Sequence, residues 1–186
     1  SLHRCSPDGS SQMFNQELLF LWICNSPLEA RNALDAGVDW IFVDIETEGK
    51  SSRQPTTSFI SDHELDDVRV IKNALPNARV ILRINPVYGG TRLEIERAVD
   101  FGVDAIMLPM FRSLAEIQFV KDLIGARVQF WPLVETPEAC VLMTEVNLKS
   151  SGFDRIHLGL NDLHLTLNYQ FMFSPLLDRR VSDAIA

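Results

Sequence analysis

The feature that most constrains this chain is a phrase that occurs three times: Gly37-Val-Asp-Trp-Ile-Phe-Val43, Gly102-Val-Asp-Ala-Ile-Met-Leu108 and Gly152-Phe-Asp-Arg-Ile-His-Leu158. Glycine supplies the left-handed conformation that ends a helix, and the apolar run after it favours an extended chain. Each phrase therefore reads as a helix stop followed by a strand. Ala78-Arg-Val80 and Ala126-Arg-Val128 open strands at the intervening positions. Between them, Ser26 with Glu29, Ser61 with Glu64, Thr91 with Glu94 and Ser113 with Glu116 have the spacing of a capping box. In that box the hydroxyl accepts from a free N–H of the first turn while the glutamate reaches back to the cap residue.

The pattern predicts strands near 18–24, 39–45, 79–84, 104–109, 127–134 and 155–160, with a helix after each of the first five. Near-continuously apolar strands alternating with helices specify a parallel sheet covered on its outside. Two architectures satisfy this, an open doubly wound sheet and a (β/α)8 barrel. Polar groups stand at the carboxyl end of nearly every strand: Asp44 and Glu46, Arg83 and Asn85, Glu135, and Asn161 with Asp162. A barrel assembles its site from many strand ends around one mouth, whereas an open sheet concentrates it at one switch point. No Gly-x-Gly-x-x-Gly or phosphate-loop phrase is present, which also weighs against a nucleotide-binding sheet. The expected fold is therefore α/β, of the (β/α)8 TIM-barrel type, ending after about six βα units. We expect residues 1–15 to form a flexible leader and residues 16–186 a single barrel domain lacking its last strands.

The net charge of -8 comes without a basic stripe, which argues against a nucleic-acid partner. Three scattered cysteines, Cys5, Cys24 and Cys140, fit reduced thiols in a cytoplasm better than a disulfide framework. The apolar run Leu18–Cys24 falls well short of the roughly 18 residues that span a bilayer, so no membrane partner is expected.

Asp44 and Glu46 lie two apart, so their side chains leave the same face of a strand. Arg83 sits inside the apolar run Val80-Ile-Leu-Arg-Ile-Asn85, where a guanidinium needs an anion. It either pairs with Asp44 or Glu46 or grips a substrate carboxylate in a bidentate fork. Glu135 and Asp162 are each the first acid after a strand-like run. In a parallel sheet neighbouring strand ends are about 4.8 Å apart, within reach of one cation. Each is also a plausible helix-cap residue, Glu135 ahead of Pro137 and Asp162 ahead of residues 163–167. As a pair they suit Mg²⁺, with Mn²⁺ as the alternative, because one or two carboxylates with waters and substrate oxygens complete such a shell. His157 and His164 lack the His/Cys spacing of a softer metal site and read as structural or exposed, while His3 and His63 carry no signal. Trp22, Trp40 and Trp131 read as core residues of their strands.

Taken in order, these segments resemble the HpcH/HpaI aldolase and citrate lyase beta-subunit family across roughly residues 16–175. The matching stretches are Val43-Asp-Ile-Glu46, with Lys50 and Arg53 after it, Leu82-Arg-Ile-Asn-Pro86, Gly102-Val-Asp-Ala-Ile-Met-Leu-Pro-Met110, Leu133-Val-Glu-Thr136 and Leu158-Gly-Leu-Asn-Asp-Leu163. The resemblance implies a (β/α)8 fold and a Mg²⁺-dependent carbon–carbon lyase acting on a 2-oxo acid or a CoA thioester. It casts Glu135 and Asp162 as metal ligands and Arg83 as the group on the substrate's carboxylate or enolate oxygen. Asp44 and Glu46 would share the catalytic work, and Asn85, Pro109 and Thr136 would line the substrate. It further implies a homo-oligomer, with Phe171-Met-Phe-Ser-Pro-Leu-Leu177 buried against the barrel or a neighbouring subunit. Thr47 stands where the aldolase branch has a histidine base and the citrate-lyase branch an aspartate. Threonine is a poor base at neutral pH, so Glu46, a metal-activated water or a partner's residue would move the proton. A catalytically weak barrel that binds a carboxylated metabolite as a sensor or assembly component is the alternative.

Overall fold

The computed structural model describes residues 18–47, 62–145 and 152–185. The expected leader at residues 1–15 lies outside the described residues, as do Lys50, Arg53 and Ser61. Six strands run parallel in strict chain order, each paired with the next: β1 Leu21–Ile23, β2 Trp40–Asp44, β3 Val80–Arg83, β4 Ala105–Leu108, β5 Gln129–Val134 and β6 His157–Leu158. The sheet curls into a partial TIM barrel with its helices outside. These are α1 Pro27–Asp35, α2 Leu65–Ala74, α3 Thr91–Asp100, α4 Leu114–Ile124, α5 Pro137–Glu145, α6 Leu160–Thr166 and α7 Arg179–Ile185, with a 3-10 turn at Ser174–Leu177 before the last. α7 packs back on α5.

Alternation along each strand separates two cores. Ile41, Val43, Val80, Leu82, Ile106, Leu108 and Val134 face the helices and join the larger cluster with Val68, Ile71, Ile95 and Val120. Trp40, Phe42, Ile81, Ala105, Met107, Trp131 and Leu133 point the other way and fill the barrel interior. Both faces being apolar is why the strands read as unbroken hydrophobic runs. Gly37 and Gly102 adopt φ 97° and 85°, the left-handed helix stops that the repeated phrase requires.

Several local expectations are corrected. Of the three expected boxes that lie wholly within the described residues, the one at Ser113 forms: its hydroxyl accepts from Glu116 N, 3.3 Å, and donates to Glu116 Oε2, 2.8 Å. Ser26 caps α1 by position alone, with no side-chain bond. The cap of α2 is Glu64, boxed with Asp67, because Asp67 three residues on supplies the reciprocal carboxylate. α3 starts one residue earlier than expected, with Gly90 as cap, and Glu94 is drawn into the barrel instead. Trp22 is 47 % exposed and donates to Glu29, since it lies on the outer strand β1 rather than in the core. The Phe171–Leu177 segment is not buried against the barrel among the described residues: Phe171 is 63 % and Leu177 92 % exposed. Cys24 and Cys140 are buried free thiols. Among the described residues no helix is long and apolar enough to cross a membrane.

Candidate active site at the carboxyl end of the barrel

The interior column of each strand changes from apolar to polar at its carboxyl end. On β2 the step of two runs Trp40, Phe42, Asp44, Glu46; on β3 it runs Ile81, Arg83, Asn85; on β5 it runs Trp131, Leu133, Glu135. The register sets Asp44 directly beside Arg83. Arg83 donates from Nε to Asp44 Oδ1 at 2.8 Å and from Nη2 to Oδ2 at 2.7 Å, with Glu46 Oε2 3.4 Å from Nε. Its plane lies over the Phe42 ring at 5.6 Å. Burial pulls the guanidinium pKa down, but pairing with Asp44 and the charges of Glu46 and Glu135 outweigh it and raise it. Of the two readings of Arg83, internal pairing is present. Nη1 makes no hydrogen bond among the described residues, so an edge of the fork remains for a ligand.

Asp44 is itself held in place. Its Oδ1 accepts from Glu46 N at 3.1 Å, and its backbone N–H donates to His63 Nδ1 at 3.0 Å. In that bond the His63 ring nitrogen is the acceptor. Neither the spacing nor the composition around His63 marks it, because it reaches back across 19 residues to the end of β2. Asn85 is gripped by Glu94, which accepts from its N and its Nδ2, both at 2.9 Å, and from Tyr88 OH at 3.1 Å. The grip turns Asn85 Oδ1 toward Thr47, whose N and Oγ1 donate to it at 3.0 and 3.4 Å. Glu94 is thus a buried anchor for the loop after β2, a role hidden in the sequence by its capping-box spacing.

Glu135 follows β5 directly and is 2 % exposed. Met110 donates its N–H to Glu135 Oε1 at 2.9 Å from a left-handed backbone with φ 53°, a conformation held for a methionine only at a cost of about 1–3 kcal/mol. Gly159 makes the space on the other side, for a Cβ there would lie 2.5 Å from Glu135 Cβ and 2.8 Å from Oε2. Burial first, then the like charges of Glu46 and Asp162, push the Glu135 carboxyl up to about 8 against the opposing pull of Arg83 and the Met110 N–H.

Asp162 does not cap residues 163–167. The helix begins at Leu160 with Gly159 as its cap, and Asp162 stands in the first turn, where an acid suits the positive end of the helix dipole. β5 and β6 are neighbours, with Leu133 opposite His157 and Val134 opposite Leu158, so the two acids arise from adjacent βα units. Among the described residues no group of three or more His, Cys, Asp or Glu is placed to hold a metal. The set of Glu135 with Asp162 is all-oxygen, and Glu135, raised first by burial, also faces the charges of Glu46 and Asp162, which a cation would offset; both facts fit a hard divalent ion.

Of the expected substrate residues, Thr136 has structural work. Thr136 is buried and caps α5, accepting from Ala139 N at 3.0 Å and donating to the Phe111 carbonyl at 3.1 Å. Pro109 is buried just after β4. His157 follows the interior register of β6 opposite Leu133 but is exposed, and partial desolvation and the charge of Arg83 lower its pKa. His164 follows Asp162 on α6, its Nδ1 buried and without a partner among the described residues.

Comparison with known proteins agrees with this architecture. No curated protein matches the chain significantly in sequence. Among solved structures, citrate synthase SbnG superposes with a TM-score of 0.64 at 15% identity, over 90% of this chain and 70% of that one. An HpcH/HpaI aldolase/citrate lyase family protein from Burkholderia cenocepacia J2315 gives 0.64 at 16%, over 89% and 74%. The HpcH/HpaI aldolase from Desulfitobacterium hafniense DCB-2 gives 0.59 at 17%, over 89% and 70%. At these identities the likeness is one of fold. The sequence match is more specific, since residues 16–172 match the HpcH/HpaI aldolase/citrate lyase family as a whole, and the chain therefore belongs to that family of lyases.

Proposed function

We propose that this protein is a divalent-metal-dependent carbon–carbon lyase that cleaves or forms the bond next to a 2-oxo acid or an acyl thioester. The observation that carries the reading is the convergence of Arg83, with an unbonded Nη1 edge, and the buried Glu135 on one interior face at the carboxyl mouth. Glu135 and Asp162 are the residues that would hold Mg²⁺ or Mn²⁺, which when bound supplies Lewis-acid stabilisation for a developing enolate.

The remaining work falls to the chain itself. Arg83 binds the substrate's carboxylate or enolate oxygen through Nη1, oriented by its two bonds to Asp44 and by the Phe42 ring. A fixed cation in a partly buried site stabilises developing negative charge without reorganising. In the cleavage direction, the hydroxyl proton of the acceptor leaves as the carbon–carbon bond breaks, and the electron pair passes into the enolate, which is then protonated on carbon. Glu46, 3 % exposed and beside Arg83, is the carboxylate we assign to that proton. Thr47 is not suited to it, because its hydroxyl is turned toward Asn85.

The second reading, a catalytically weak barrel that binds a carboxylated metabolite, is favoured by that same engagement of Thr47. Calorimetry with Mg²⁺ and pyruvate or oxaloacetate, run beside a product assay, separates the two. Turnover that depends on the metal supports the lyase; tight binding without turnover across the panel supports the second; neither binding nor turnover removes both. The reading further carries a small-molecule partner, a homo-oligomer and a cytoplasmic setting, the last consistent with the reduced thiols of Cys24 and Cys140.

A further inference from the structure

We propose that the cavity between β6 and the approach to β1 is a second binding site, in which Arg155 and His157 take the head group of a small organic oxyanion, a carboxylate or a phosphate. Among the described residues β1 and β6 are the outer strands of the sheet, each paired on one side only. Between them lies a cavity of ≈ 320 Å³, which Arg155 and His157 line together with Trp131, Leu19, Leu21 and Ile156. Both polar groups therefore open onto one space. They are two residues apart along an extended chain, so they leave the same face with about 7 Å between their Cα atoms. One head group can bridge that span.

The polar atoms of neither side chain are used by the fold. Arg155 lies over the Trp131 ring at 5.4 Å, and a guanidinium stacked in this way keeps its N–H donors in its own plane, clear of the ring. It makes no ion pair or hydrogen bond among the described residues, although Arg69, Arg83, Arg112, Arg127 and Arg180 each hold a carboxylate. The His157 ring has no hydrogen-bond partner among them either. Asp154, the neighbour of Arg155 in sequence, leaves the opposite face of the chain and accepts from Phe130 N at 2.8 Å. In a chain of net charge -8, no acid lines this cavity.

The surroundings select an organic anion over a bare ion, because Trp131, Leu19, Leu21 and Ile156 offer an apolar wall to the rest of the molecule. A volume of this size accepts one small ligand. His157 is held toward its neutral form by partial desolvation and by the charge of Arg83, whereas an anion beside it favours the imidazolium. The ring therefore reports on occupancy. The site is separate from the candidate active site, since none of Asp44, Glu46, Arg83, Glu135 or Asp162 lines the cavity. Arg155 lies four residues, about 13 Å of extended chain, before the Gly159 that packs against Glu135. The proposal does not depend on the lyase reading.

The test uses the full chain and follows the His157 ring by NMR, its resonance assigned by its loss in His157→Gln, while phenyl phosphate or benzoate is added. The resonance is expected to move toward the imidazolium position and saturate with one anion or both, which identifies the head group taken, while those of His63 and His164 stay still. Arg155→Gln, at an exposed position, should weaken the binding at least tenfold with Tm unchanged. Arg79→Gln, on a different cavity, should leave it as it is. Benzyl alcohol, which lacks the oxyanion, should not move the resonance. A His157 signal that responds to neither anion at millimolar concentration overturns the proposal, as does an affinity unchanged in Arg155→Gln or an equal response to benzyl alcohol. So does a His157 shift that tracks one at His63, which bonds the Asp44 N–H, because the anion would then sit on Arg83.

Discussion

Replacing Glu135 with Gln separates what this carboxyl costs the fold from what it does in the site. Burial, with the charges of Glu46 and Asp162, pushes the folded carboxyl up to about 8, from an ordinary value near 4.5. Below the lower value both folded and unfolded chains hold the proton, and above the higher one both have lost it. Between them only the folded chain holds it, so raising the pH favours unfolding, by about 1.4 kcal/mol per pH unit. The span amounts to at most roughly 5 kcal/mol, a large share of the 5–15 kcal/mol that holds a domain of this size. Glutamine mimics the protonated acid and carries no such penalty. Urea unfolding with chelator present, from pH 5 to 9, should therefore show the wild type losing stability relative to Glu135→Gln as pH rises, with near-equal stability at pH 5. Adding Mg²⁺ at a hundred times its Kd should return about 2.7 kcal/mol to the wild type and nothing to the variant. Parallel pH profiles for the two proteins would refute the reasoning, because Glu135 would then not be a buried, charge-crowded acid.

Four further outcomes follow from the same geometry. Arg83→Lys breaks the fork to Asp44, and kcat/KM for the lyase reaction should fall about 10²–10³-fold while the fold persists by circular dichroism. His63→Phe removes the His63 acceptor of the Asp44 N–H and should cost about 1–3 kcal/mol in urea unfolding, whereas His63→Asn, whose Oδ1 can stand near Nδ1, should recover most of it. Glu94→Gln should loosen Asn85 and the loop after β2, lowering kcat more than it raises KM; an unchanged kcat would show that this anchor is irrelevant to the site. Gly159→Ala forces a methyl to 2.5 Å from Glu135 Cβ, and thermal unfolding should register about 1–3 kcal/mol of overpacking together with weaker Mg²⁺ binding.

The βα series was legible because its signals are local. A glycine with positive φ followed by an apolar run marks the start of each strand unit, and stepping by two from Trp40 or Ile81 leads straight to Asp44, Glu46, Arg83 and Asn85. The pairing of Asp44 with Arg83 was one of two open readings, since a strand sequence does not state its register with a neighbour. What escaped was long-range or backbone in origin. His63 reaches across to Asp44 from the approach to α2, and Met110 turns its N–H to Glu135 through a left-handed φ that no methionine advertises. Glu94 was visible but misassigned, because three-residue spacing from a threonine describes a cap and a barrel anchor equally well. Asp162 lies in the first turn of α6 rather than at a strand end, because β6 stops at Leu158 and the helix begins at Leu160.

The most direct test of the account is pyruvate release from a panel of 4-hydroxy-2-oxo acids and oxaloacetate, measured with Mg²⁺, with chelator, and with Mg²⁺ restored. The account predicts turnover of at least one substrate that disappears with chelator, returns with Mg²⁺ and is absent in Glu135→Gln. Turnover that persists undiminished in chelator, or that survives in Glu135→Gln, would contradict it.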